Sequence, residues 1–270
     1  MSRATLQPFE RAIARRVAGA LIRRLTILAL ALAWPGAAGA QTFFPRFDYH
    51  FDGRRLATGD DRFDWAFQFG GDLDVVDWGR GRASFRARYE AIAGSQFRRF
   101  DVNQGNYLLE GSASVRLRQV EVAAVWHHVS RHLSDRPKRF PIDWNMIAAR
   151  VSAAWTAGRT SAAWETDLRK TVANAFVDYA WEVESTMRLR RPLRRRAAAV
   201  GAAGVRLVGV DASRGRGTQV DARAEAGVRF GGDGAAAELF AGVERRLDPY
   251  PVEFGTRSWF LAGLRLTSVP

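Results

Sequence analysis

Three of the four histidines in this 270-residue chain fall in one stretch, Trp126-His127-His128-Val129-Ser130-Arg131-His132, and a Trp144-Asn145 pair follows it. These residue types can carry nucleophilic acyl chemistry. A serine hydroxyl attacks an ester once an imidazole takes its proton, and a third polar group holds the imidazole in the right tautomer. Side chains two apart on a strand share a face and lie about 6.5–7 Å apart at the backbone. That spacing selects His128 and Ser130. Asn145 joins them if the loop 131–143 closes symmetrically and sets it across from His128. Ser130 is then the nucleophile, His128 the general base and later acid, and Asn145 the group that orients the ring. A neutral Asn in place of Asp suits a membrane edge, where an unpaired carboxylate is costly.

Strand phase decides whether these side chains meet. Val120, Val122, Ala124 and Trp126 form the apolar set before them, so even positions face lipid, and His128 and Ser130 continue that set. Ile147, Ala149, Val151, Ala153 and Trp155 form the apolar set of the following segment, and Asn145 has their phase. The three polar residues therefore share the outer wall. His127 points inward, which disfavours a metal site built from His127, His128, His132 and Asp135, because no single ion reaches all four.

Apolar and polar residues alternate with period two through most of the chain, the pattern of strands with one apolar and one polar face. Ala83, Phe85, Ala87, Tyr89 and Ala91 alternate with Ser84, Arg86, Arg88 and Glu90; Val220 to Phe230 repeats the pattern. The expected strands are 43–51, 62–78, 82–93, 107–118, 119–130, 144–156, 161–170, 176–190, 197–210, 218–230, 235–246 and 258–268. Many run about ten residues or more, as tilted membrane strands must. The fold class is therefore all-β, a transmembrane antiparallel barrel of about twelve strands. Short connections at Gly79-Arg80-Gly81, Arg118-Gln119, Ala157-Gly158, Pro192 and 231–234 alternate with generally longer ones, and an even strand count puts both termini in the periplasm. Pro45 confines the first strand to an edge or an early position. The polar faces place Arg86, Arg88, Glu90, Glu110, Arg116, Glu121, Arg150, Glu165, Asp167, Arg169, Glu182, Glu184, Arg188, Arg223 and Glu225 in the interior. Mixed charges should pair and fill a lumen of this size. No long inward-folding loop is evident.

The N-terminus reads as an export signal. Leu25 to Trp34 is an apolar core behind an arginine-rich start, Pro35-Gly36 breaks it, and Ala38-Gly39-Ala40 offers small residues for cleavage. Residues 1–40 are the expected signal peptide and 41–270 the barrel. Such a chain travels unfolded and needs the outer-membrane assembly machinery as a partner. There is no cysteine, which excludes disulfides and thiolate metal sites. The formal charge is +13, but the leader carries six arginines against Glu10, and the remaining charges alternate singly with apolar residues. Nucleic acid is not an expected partner.

At His128-Val129-Ser130 and Trp144-Asn145 the sequence resembles the outer-membrane phospholipase A family, whose H-x-S … W-N pattern carries a lipid-facing Ser-His-Asn triad on a twelve-stranded barrel. Ser134-Asp135 resembles the Ser-Asp that follows in that family. The resemblance implies a serine acyl hydrolase cleaving phospholipid or lipid A esters at the outer leaflet, with membrane lipids as substrate, a homodimer as candidate partner and calcium as candidate cofactor. The stretch His128-x-Ser130-x-His132-Leu133-x-Asp135 also resembles a motif of outer-membrane barrels of unknown function, which implies location and no activity. The alternative to an enzyme is a non-enzymatic barrel, either a narrow channel or a structural or interaction protein.

Overall fold

Alternating faces need partners for their backbone groups, and in a computed structural model the chain finds them in one closed sheet. The structure describes residues 41–268 except 135 and 138. The expected leader and Asp135 lie outside them. The strands are β1 (Thr42–Ala57), β2 (Trp65–Asp77), β3 (Arg82–Gly94), β4 (Asp101–Leu117), β5 (Val120–His132), β6 (Asp143–Ala157), β7 (Thr160–Ala175), β8 (Tyr179–Arg194), β9 (Ala197–Val210), β10 (Gln219–Gly231), β11 (Ala235–Leu247) and β12 (Thr256–Ser268). Each pairs antiparallel with its chain neighbours. β1 closes on β12, from His50↔Thr267 to Ala57↔Phe260. Closure leaves no edge, as a sheet in lipid requires. The shortest strands have 13 residues, and a strand of that length tilted about 45° rises about 30 Å, the thickness of a hydrocarbon core.

The outer face is apolar: Phe51, Phe69, Phe85, Trp155, Leu168 and Phe260 are exposed there. The inner face is charged and paired. Arg86 bonds Asp72, Glu110 and Glu165; Arg150 bonds Glu110 and Asp167; Arg169 bonds Asp167, Glu182 and Glu184. The short connections 118–119, 158–159 and 195–196 lie at the end that holds both termini, the periplasmic end by the rule for such barrels.

Several expectations need correction. β1 continues to Ala57 instead of stopping near residue 51, and Pro45 sits inside it. Register shifts between Phe43 and Arg46, and Phe44 takes φ 51°, so the ring occupies a bulge where no ladder N–H is needed. Pro192 likewise lies within β8 at a register shift between Pro192 and Arg194, and the turn falls at 195–196. β4 begins at Asp101, six residues early. Its start, Asp101, Asn103 and Gln104, is polar yet buried, because loops cover it: Asn103 Nδ2 donates to Arg62 O at 2.6 Å and Gln104 Nε2 to Pro249 O at 3.0 Å. β7 extends to Ala175, which leaves only 176–178 as its loop.

One short segment turns inward at the extracellular end, a feature the sequence did not reveal. Residues 248–251, between β11 and β12, are buried at the extracellular end. Tyr250 joins Leu56, Phe63, Ile92, Trp259 and Leu261 in one apolar cluster, and Ile142, Trp144, Met146, Tyr179, Val208 and Leu247 form a second. The segment folds inward because its polar atoms are met there. Tyr179 Oη donates to Asp248 Oδ2 at 2.7 Å, and Arg216 Nη1 to Asp248 Oδ1 at 2.8 Å.

Candidate active site on the outer wall

β5 and β6 bring the site together. Their register sets His128 opposite Asn145 and Ser130 opposite Asp143. The inward partners of this strand pair are buried: His127, Arg131, Trp144 and Met146. His127 Nδ1 meets Glu110 Oε1 at 2.7 Å, and Arg150 holds the same carboxylate at 2.9 Å. His127 thus belongs to the lumenal charge network. His128, Ser130 and Asn145 face the other way and are half-buried.

Within this group the His128 ring and Asn145 are joined, Nδ1 to Oδ1 at 3.0 Å. An amide oxygen only accepts, so Nδ1 carries the proton and Nε2 is left as the basic nitrogen. Trp126 stacks nearly parallel on the ring, 5.9 Å between centroids and 7° between planes. The ring is therefore held both from its edge and from its face.

Ser130 is placed differently from the simple relay. Its hydroxyl is hydrogen-bonded to His132 Nε2 at 2.9 Å rather than to His128. His132 lies two residues on, with the same phase, and packs edge-on against Tyr107 at 5.3 Å. Ser130 therefore stands between two imidazoles on one strand face. A serine Cα–Cβ bond has three staggered positions, and rotation between them redirects the hydroxyl. The i, i+2 spacing of Ser130 and His132 was visible in the sequence, where it gave no role in the relay.

The end of β5 is anchored from inside. Arg131 donates from Nη1 to Asp248 O at 2.7 Å, from Nη2 to Pro249 O at 3.2 Å and from Nε to Asn106 Oδ1 at 3.2 Å. The inward loop thus fixes the strand end that carries Ser130 and His132. At the rim, Gly105 pairs with His132, and a Cβ there would come within 2.6 Å of Tyr89 Oη. That close approach continues an aromatic row, Phe69, Tyr89 and Tyr107, with centroids 5.1 and 4.7 Å apart.

Among the described residues, acidic and imidazole groups alone do not make a calcium site here. A hard cation of this kind takes six to eight oxygens. The carboxylate in register with Ser130 is Asp143, and among the described residues no three acidic or imidazole groups converge to hold a metal.

No protein-family model and no curated protein sequence matches the chain. Solved structures do. The outer membrane phospholipase A from Escherichia coli aligns with a TM-score of 0.52 and 12% identity, over 84% of this chain and 98% of that one. The Salmonella typhi outer membrane phospholipase dimer with bound calcium gives 0.52 and 11%, over 87% and 93%. LpxR from Salmonella typhimurium gives 0.48 and 10%, over 83% and 100%. At these identities the likeness shows the fold alone: the chain is a twelve-stranded barrel of the bacterial outer membrane.

Proposed function

We propose that this barrel is an outer-membrane serine acyl hydrolase that cleaves ester bonds of phospholipid or lipid A in the outer leaflet. The observation that carries the reading is the His128 Nδ1–Asn145 Oδ1 hydrogen bond at 3.0 Å on the lipid-facing wall, with Ser130 two residues away on the same face. On rotation of its hydroxyl from His132 toward His128, Ser130 Oγ attacks the ester carbonyl carbon and His128 Nε2 takes the proton. Collapse of the tetrahedral adduct breaks the ester C–O bond, and the same proton leaves with the alcohol. Water, deprotonated by His128, then releases the fatty acid from Ser130. Asn145 keeps Nδ1 protonated throughout, and Trp126 restrains the ring plane.

A narrow channel is the competing reading. Conduction needs a water path past residues 248–251, and two packed apolar clusters stand there. The three proposed catalytic side chains come from one chain, so a homodimer is not needed to complete them. Labelling of refolded protein with a fluorophosphonate tests the proposal. Wild type should label and Ser130→Ala should not. Conductance in planar bilayers without labelling would replace the enzyme with the channel.

A further inference from the structure

Many arginines inside this barrel are held in contact with carboxylates. Arg54 bonds Asp52 at 2.6 Å and Glu90 at 2.7 Å, Arg82 bonds Glu121 at 2.8 Å, and Arg265 bonds Glu225 at 2.6 Å. Arg88 departs from this rule. It faces the lumen from β3, yet among the described residues it makes no hydrogen bond or ion pair, and its Nε is buried without a partner. The carboxylate in the adjacent row, Asp72, is bonded to Arg86 at 2.5 Å instead. A guanidinium cannot shed its proton, so burying one with no carboxylate in contact is costly.

Two further donors share its surroundings. His50 and Arg88 flank Gly70 in one row across β1, β2 and β3, through the pairs His50↔Gly70 and Gly70↔Arg88. Gly70 gives that row a floor of backbone; a Cβ there would lie 2.3 Å from Ala87 O and 3.0 Å from Arg88 Cγ. Gln68 occupies the next inward position on β2. Neither His50 nor Gln68 has a hydrogen-bonded side-chain partner among the described residues. All three line a lumenal cavity of about 1070 Å³ with nine arginines against seven carboxylates on its walls. The cavity reaches Arg118 and Gln119, the short β4–β5 turn at the end holding both termini. Its opposite end is closed by the apolar clusters and residues 248–251.

We propose that Arg88, His50 and Gln68 form a binding site for a small oxyanion of the phosphate class, entering the lumen from the periplasmic side. The planar guanidinium offers two parallel donors to such an ion, and the imidazole and amide supply donors from the neighbouring strands. The excess of arginine draws anions into the cavity. This site is separate from the serine on the outer wall and does not depend on hydrolase activity.

Titration of the refolded mature barrel with inorganic phosphate, followed by ³¹P line broadening, tests the proposal. Wild type and Ser130→Ala should bind phosphate saturably and alike. Arg88→Met, which keeps the length of the side chain and removes the charge, should bind at least about tenfold more weakly. Should Arg88→Met fail to give a heat-modifiable barrel, Gln68→Leu carries the comparison, with a weaker loss in the same direction. No saturable binding by folded wild type would overturn the site, as would wild-type binding by Arg88→Met or, where that variant does not fold, by Gln68→Leu.

Discussion

Replacing Asn145 with alanine isolates the interaction on which the hydrolase reading rests. In the resting state the His128 Nδ1–Asn145 Oδ1 bond of 3.0 Å joins two neutral groups. When His128 accepts the serine proton the ring becomes a cation, and the same bond becomes charge-assisted. Hydrogen bonds to charged groups are worth about 1.5–3 kcal/mol, against about 0.5–1.5 for neutral pairs. The alanine variant also frees the ring to adopt the unproductive tautomer. The difference between the two, about 1–1.5 kcal/mol, is lost from the transition state relative to the bound ground state and lowers kcat by about 5- to 10-fold, before the tautomer loss is added. KM should change little, because the bond strengthens only as charge develops. The assay is hydrolysis of a long-chain ester in mixed micelles, normalised to the heat-modifiable folded fraction. His127→Ala is the matched control. It removes a contact to the buried Glu110 and should cost about 1.5–3 kcal/mol of stability, yet kcat per folded molecule should hold. If Asn145→Ala loses less than about threefold, or no more than His127→Ala, Asn145 does not orient a catalytic base and the triad fails.

The Ser130–His132 hydrogen bond at 2.9 Å sets up a second comparison. His132→Ala should leave kcat within about one order of magnitude, since one neutral hydrogen bond is exchanged for another. His128→Ala should cost about 10²–10⁴-fold; the reverse ranking would make His132 the base. The extracellular β1–β2 loop should loosen in acid. Arg62 bonds Asp60 and holds its carboxyl well below the ordinary value, at about 2. A depressed folded value means that this stabilisation is complete above about pH 4 and is lost as pH falls through about 2. Hydrogen exchange over residues 58–64 should rise across that window and not between pH 7 and 5, and a flat profile would refute it. Export should end in cleavage after Ala40, and N-terminal sequencing of outer-membrane material that began at Met1 would refute that.

Period-two alternation is a property of neighbouring residues, so the chain alone determined the outer and inner faces, the strand count and the closed barrel. It also determined that His128, Ser130 and Asn145 share the outer phase while His127 opposes it, because inverting one residue on a strand inverts its face. Local pattern could not locate β4's polar start or the bulges at Pro45 and Pro192. Asn103 and Gln104 read as loop residues, and only the carbonyls of Arg62 and Pro249, brought in from other parts of the chain, make a buried strand of them. Residues 248–251 read as an ordinary connection for the same reason: Tyr179, Arg216 and Arg131, which meet their polar atoms, lie far away in sequence. The tertiary structure also decided which imidazole the Ser130 hydroxyl meets. Phase allows His128 and His132 equally; a side-chain rotamer, set by packing across strands, selects His132 in this structure. Arg88 looked like any other interior arginine in an alternating strand. That it lacks a carboxylate partner follows from how Asp72 divides itself between two arginines, and only the assembled lumen settles it in favour of Arg86.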